Sequence, residues 1–411
     1  MSANDTITSR ECPRPVIGER EDTITADDNR LRMRVAFVSE TWHPEINGVT
    51  HTLGHLAHHL HDRGARLQLI RPRPPQPHRD ELMSEELHTG AIPIPDYDGV
   101  RMGIPAPLRL ARLWREQRPD VIYIATEGPL GTTALLQARR LGIPVVSGFH
   151  TNFDQYSQYY ILLKILRPLV RPFLRLFHNA TTTTLVPTSA QAEALTDYGY
   201  RHVRVLGRGL DSRRFSPAHR SRTLRAEWGA SDDTPVALHV GRLAAEKNVM
   251  LLIDSLEAMR RRHPGMVAVI VGDGPQRAAL EKRLPWVHFA GFQRDTALAA
   301  HYASADIFLF PSLSETYGNV VIEAMASGLA VVAFDCAAAG ELIEDNHQGR
   351  LAPPEDNGAF VDAAVALCDD RAATQAMGEA ASERVKALEW PAIGKTFTNY
   401  LLETQEVSGG R

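Results

Sequence analysis

Ile307-Phe308-Leu309-Phe310-Pro311-Ser312-Leu313-Ser314-Glu315-Thr316-Tyr317-Gly318-Asn319-Val320-Val321-Ile322-Glu323-Ala324 carries the architecture in one segment. A short apolar run is closed by Pro-Ser, crosses a polar loop and gives way at Asn319 to a helical pattern. Such a run, too short for a helix and bounded by turn residues, reads as a buried strand of a parallel sheet. Strand, loop and helix together are part of a βαβ unit. The same succession recurs on both sides. Further strands are expected at Val236–Val240, Val267–Val271, Val287–Ala290 and Ala330–Phe334, and earlier at Met33–Ser39, Arg66–Ile70, Val121–Ala125, Val145–Gly148, Thr183–Pro187 and Val203–Leu206. Pro72 to Pro95, rich in proline, reads as a long irregular loop.

The 411 residues exceed what one core organises, so two α/β domains of Rossmann type, facing each other across a cleft, are the expected fold. The polar stretch Gly207–Ser231 reads as the hinge. The boundaries are a disordered tail over 1–30, a first domain over 31–206, a second over 207–390, and a last helix with its tail over 391–411, packing back across the pair. A hydrophobic content of 44% with 23% charged residues excludes a disordered chain. Met1–Arg30 lacks the apolar segment of a secretion signal and no apolar stretch spans a bilayer, so a cytoplasmic location is expected. Net charge is −4, which argues against nucleic acid as a partner, but it divides as +5 over 31–206 and −6 over 207–411. Cys12, Cys336 and Cys368 are read as free thiols.

Chemistry is expected where strands stop. In an open parallel sheet, ligands bind beyond the carboxyl ends of the strands, and free amides at Gly318 and Asn319 suit a phosphate there. Glu315 lies in that loop and Glu323 one turn into the helix. After the strand ending at Val240, Gly241-Arg242-Leu243-Ala244-Ala245-Glu246-Lys247 places a planar fork and a point charge five positions apart on a glycine turn. That pair suits a diphosphate whose charge grows as it leaves.

These two motifs resemble glycosyltransferase family 4, the retaining sugar-nucleotide transferases of the GT-B fold, over roughly residues 33 to 390. The resemblance implies that Glu315 touches hydroxyls of the donor sugar, Glu323 the ribose, and Arg242 with Lys247 the diphosphate. Gly48, in Glu40-Thr41-Trp42-His43-Pro44-Glu45-Ile46-Asn47-Gly48, is implied to approach the diphosphate from the first domain. His150, in Gly148-Phe149-His150-Thr151-Asn152, stands where the family has a histidine near the transferred sugar. Gly272, Gly274 and Phe292 fall where related enzymes hold the base. Gly148–Phe153 and the Arg208-Gly209-Leu210-Asp211 turn are similar to bacterial GDP-mannose-dependent α-mannosyltransferases; sulfoquinovosyl-diacylglycerol synthases are the other subgroup resembled. The implied reaction is hexosyl transfer, mannosyl from GDP-mannose, to a lipid or glycolipid, with retained configuration and no required metal or cofactor. A UDP-sugar-dependent transferase acting on diacylglycerol or a glycan, and a sugar-nucleotide epimerase of similar architecture, remain alternatives. A nicotinamide enzyme is disfavoured, because no G-x-G-x-x-G follows the first strand.

Lys164, Arg167, Arg171 and Arg175 form one stripe within about 80° of a helical wheel, with apolar residues over the remaining arc. Arg109, Arg112 and Arg115 form a smaller one. The stripe suits peripheral contact with anionic membrane on the inner face of the cell membrane. An ordinary core-packed helix is the competing reading, and Pro168 with Pro172 should interrupt it. His51, His55, His58 and His59 share a helix face expected to be solvated and metal-free. Asp96-Tyr97-Asp98 reads as a turn.

Overall fold

The computed structural model describes residues 31–45, 47–93, 101–150, 161–313 and 315–409. The expected tail over 1–30, with Cys12, and the Asp96-Tyr97-Asp98 turn lie outside them. Two parallel sheets form two lobes. The first sheet has the spatial order β3-β2-β1-β6-β7-β8-β9, with β1 Arg34–Val38, β2 Arg66–Pro72, β3 Met83–Thr89, β6 Val121–Ile124, β7 Val145–Gly148, β8 Thr183–Val186 and β9 Val203–Val205. The short strands β4 Ala91–Pro93 and β5 Arg101–Gly103 pair as an antiparallel ribbon. The second sheet has the order β12-β11-β10-β13-β14-β15, with β10 Val236–Val240, β11 Val267–Val271, β12 His288–Gly291, β13 Ile307–Phe310, β14 Ala330–Phe334 and β15 Gly349–Ala352.

Helices cover both faces of each sheet, which is why the strands read as unbroken apolar runs. In the first lobe, Leu53, Leu56 and Leu60 of the Gly48–Asp62 helix pack on one face, and Leu110, Trp114, Leu130 and Phe177 on the other. The second lobe has the same two-sided core. The Trp390–Gly409 helix leaves the second lobe and returns to the first, where Phe397 and Leu401 are fully buried beside Phe37 and Tyr123. Burial of those two side chains contributes about 3–6 kcal/mol, enough to make the helix a fixed part of the first lobe.

Several expectations are corrected. The Pro72–Pro95 stretch contains the edge strand β3, whose Glu86 faces the buried Arg71 at 3.4 Å; its polar residues conceal it. β15 was likewise hidden in a short Gly-Arg-Leu-Ala run. Ile161–Asn179 is one continuous helix despite its two prolines. Pro172 lies on the exposed side of the helix. The Gly207–Ser231 stretch docks on the second lobe along most of its length. Arg225, in the short Arg222–Glu227 helix, is buried and donates to the carbonyls of Ser304, Ser231 and Thr234 at 2.7–2.8 Å.

Candidate active site

Both lobes direct the carboxyl ends of their strands into the cleft between them. On the second lobe, Gly318 takes a positive φ of 92° to turn the β13 loop into the Asn319–Ala326 helix, leaving that helix's first amides facing the cleft. Glu315 pairs with Lys247 and accepts from the Ser312 hydroxyl at 3.2 Å. Arg242 lies 3.7 Å from the buried Glu246, with its side chain 45% exposed toward solvent. The motif residues from the β10 and β13 loops therefore meet, as their spacing suggested. Gly272 and Gly274 serve this meeting sterically. A Cβ on Gly272 would lie 2.0 Å from the Gly241 carbonyl oxygen and one on Gly274 would lie 2.4 Å from that of Leu243, so only glycine lets the two loops close. Phe292, beyond β12, is an exposed ring with the Arg294 guanidinium 4.9 Å from its centre.

Glu323 is set apart from Glu315. It accepts from the Tyr302 hydroxyl at 2.9 Å, and burial pushes its carboxyl up to about 7, against hydrogen bonding from Tyr302 and the charge of Arg214. It lines a cavity between the lobes with His51, His55, Arg214, Asn319 and Trp390. The histidine face expected to be solvated is in part an interface: His55 stacks on Trp390 at 4.2 Å and 7°, and His51 meets that ring edge-on at 5.8 Å. Burial lowers His55 to about 4. Among the described residues, no group of three or more His, Cys, Asp or Glu side chains is placed to hold a metal ion.

On the first lobe, Asn47 caps the Gly48–Asp62 helix by accepting from the Thr50 amide at 2.9 Å. Gly48 thus opens the helix against the second lobe, where a Cβ would lie 3.8 Å from Nδ2 of Asn319. His150 follows β7. Its ring lies 2.8 Å from the Tyr123 hydroxyl and 2.9 Å from the Arg208 guanidinium, and its carbonyl accepts from Thr316 Oγ1 at 3.1 Å. The histidine of one lobe is thereby joined to the residue next to Glu315 on the other. Tyr123, Arg208, Tyr302, Arg214, His51 and His55 were not among the expected site residues. Arg208 left a trace in the turn it opens after the last strand of the first sheet, and His51 with His55 in the helix face read as solvated.

Residues 46–214 match the family described as Glycosyltransferase Family 4, and residues 234–370 match Glycosyl transferases group 1. A GDP-mannose-dependent alpha-mannosyltransferase of Mycobacterium tuberculosis is 34% identical over 88% of this chain and 94% of its own. This chain belongs to glycosyltransferase family 4. Sulfoquinovosyl transferase SQD2 of Arabidopsis thaliana is 31% identical over 75% of this chain and 61% of its own length. Anabaena Alr3699/HepE, solved with UDP and glucose, superposes with a TM-score of 0.69 at 21% identity over 90% of this chain and all of its own. The two-lobed architecture is the GT-B fold, and this family 4 protein is a hexosyltransferase that uses a nucleotide-sugar.

Proposed function

We propose that the enzyme transfers a mannosyl group from GDP-mannose to a lipid or glycolipid acceptor with retention of configuration, working at the inner face of the cell membrane. The observation that carries this reading is the Lys247–Glu315 pair of one lobe beside Thr316 and Asn319, which His150 and Gly48 of the other lobe approach across one cleft. Lys247 is paired with Glu315; a diphosphate would compete for the cations and release the carboxylate toward sugar hydroxyls. Arg242 and Lys247 then offset the charge that grows on the departing phosphate. Gly318 and Asn319 offer backbone amides to the same group, and Glu323 accepts from the ribose. Gly272, Gly274 and Phe292 border the place for the base.

The bond from the anomeric carbon to the phosphate breaks as the bond to the acceptor oxygen forms on the same face. The acceptor's proton passes to the leaving phosphate oxygen, so neither a metal nor a separate base is required. Closure of the lobes excludes the water that would otherwise take the sugar.

The lipid side of the reading rests on the Ile161–Asn179 helix. It turns Leu174 and Phe177 to the core while Leu169, Phe173 and Leu176 stay exposed beside the exposed Arg171 and Arg175. An exposed apolar row flanked by cations suits an anionic bilayer interface. No helix among the described residues is long and apolar enough to cross a membrane.

A second reading, a UDP-sugar-dependent transferase acting on diacylglycerol or a glycan, is favoured by the likeness to the sulfoquinovosyl transferase. A panel of GDP- and UDP-sugars offered with a membrane lipid extract separates the two, and NMR of the product anomer tests retention. Turnover of donor without any acceptor would instead support an epimerase.

A further inference from the structure

Arg208 stands in the turn after β9, buried to 7% exposure, where the chain leaves the first lobe. Its guanidinium donates to Nδ1 of His150 at 2.9 Å. Arginine has no lone pair to offer, so Nδ1 must accept, and the ring proton sits on Nε2. That N–H then donates to the Tyr123 oxygen at 2.8 Å. One contact thus selects the tautomer of a ring placed next to the reacting loops.

The surroundings act in the same direction. Burial first, then the charge of Arg208, then His178 lower His150 well below its ordinary pKa of 6.5. The ionisable groups facing the ring are Arg208 on the hinge, Tyr123 on β6 and His178 on the Ile161–Asn179 helix, the last bonded to Glu127 at 3.2 Å. Burial raises the Tyr123 phenol, which stays protonated. Two residues beyond Arg208, the Leu210 amide donates to the Leu388 carbonyl at 2.6 Å, so the arginine is anchored to the crossing between the lobes.

We propose that Arg208 is a positioning residue for transfer, acting through His150: it holds the imidazole as the neutral Nε2–H tautomer at the cleft. Arg208 and Tyr123, bonded to its two nitrogens, then fix the orientation of the ring where the transferred sugar is proposed to lie. This rests on the proposed placement of His150 at the sugar.

The test uses the full chain with 15N-labelled histidine, the His150 signals being identified by their loss in His150→Ala. The wild type should show a single Nε2–H tautomer that remains neutral through pH 6. In Arg208→Ala the signals should report a tautomer mixture that protonates at higher pH than in the wild type. The same change should lower kcat about 10- to 100-fold, the range for losing a charge-assisted hydrogen bond, with donor KM changed less than about threefold. In a His150→Ala background, removing Arg208 should cost no further rate. Arg208→Gln, which keeps a donor, should retain the tautomer and recover part of kcat; it is the deciding variant should Arg208→Ala not fold.

An unchanged tautomer in Arg208→Ala, loss of the tautomer in a folded Arg208→Gln, or equal rate losses in both backgrounds would overturn the proposal. A fully active His150→Ala enzyme would instead refute the placement of His150 at the sugar. The spectra report the Arg208 contact without reference to turnover, so the two failures are distinguishable.

Discussion

Glu323→Gln should make the protein more heat-stable at pH 8 and leave it unchanged near pH 4. The carboxyl is held at about 7 in the folded chain, against an ordinary 4.5, chiefly by burial. Between those two values the folded state keeps a proton that the unfolded state has released. Stability therefore falls as pH rises through that window and levels off above it. The difference between 4.5 and about 7 amounts to about 3 kcal/mol at pH 8. For a lobe of about 200 residues this corresponds to a rise in Tm of about 6–12 °C on replacing the acid with its neutral isostere. Tyr302 can still donate, now to the amide oxygen. Glu40 is also raised to about 7 by burial, but it is present in both proteins and cancels. Melting curves of the two proteins at pH 4 and pH 8 give the measurement. An equal Tm difference at the two pH values would show that the carboxyl is not perturbed by its surroundings.

Replacing Glu315 by Ala should abolish transfer while leaving the fold intact, and wild-type turnover by the folded variant would remove its proposed contact with the sugar. Arg242→Ala should weaken GDP binding at least about tenfold, as expected for a lost charge-assisted contact; an unchanged Kd by calorimetry would place the diphosphate elsewhere. Arg171→Glu with Arg175→Glu should reduce co-sedimentation with anionic vesicles, and equal sedimentation would end the membrane reading. Gly209→Ala should lower Tm by several degrees, because a Cβ there would lie 2.3 Å from the Trp390 ring; an unchanged Tm would mean the interface yields freely.

Central strands were legible because both faces of each sheet are covered, so Val236–Val240 and Ile307–Phe310 carry apolar residues almost throughout. The edge strands β3 and β15 lack that signature. Glu85, Glu86 and His88 made β3 look like loop, although a buried arginine satisfies one of its acids. The Arg242–Lys247 and Glu315–Glu323 motifs were readable because each is local in sequence and lies at a strand end. The contacts of His150 were not: Tyr123 and Arg208 approach it from 27 and 58 residues away, and no local pattern records such a meeting. The histidines of the Gly48–Asp62 helix were misread for the same reason, since the helix that covers part of them starts at Trp390.

The return of the Trp390–Gly409 helix means that the polypeptide passes between the lobes twice. Those passages run side by side, joined where Leu210 bridges to Glu389 and its amide meets the Leu388 carbonyl. Two adjacent strands of backbone resist torsion far better than one. Compared with a single connection, the pair restrains sliding and twisting of the lobes and favours a swing about the line joining the two passages. A closure guided in this way would return Gly48 to its place over Asn319.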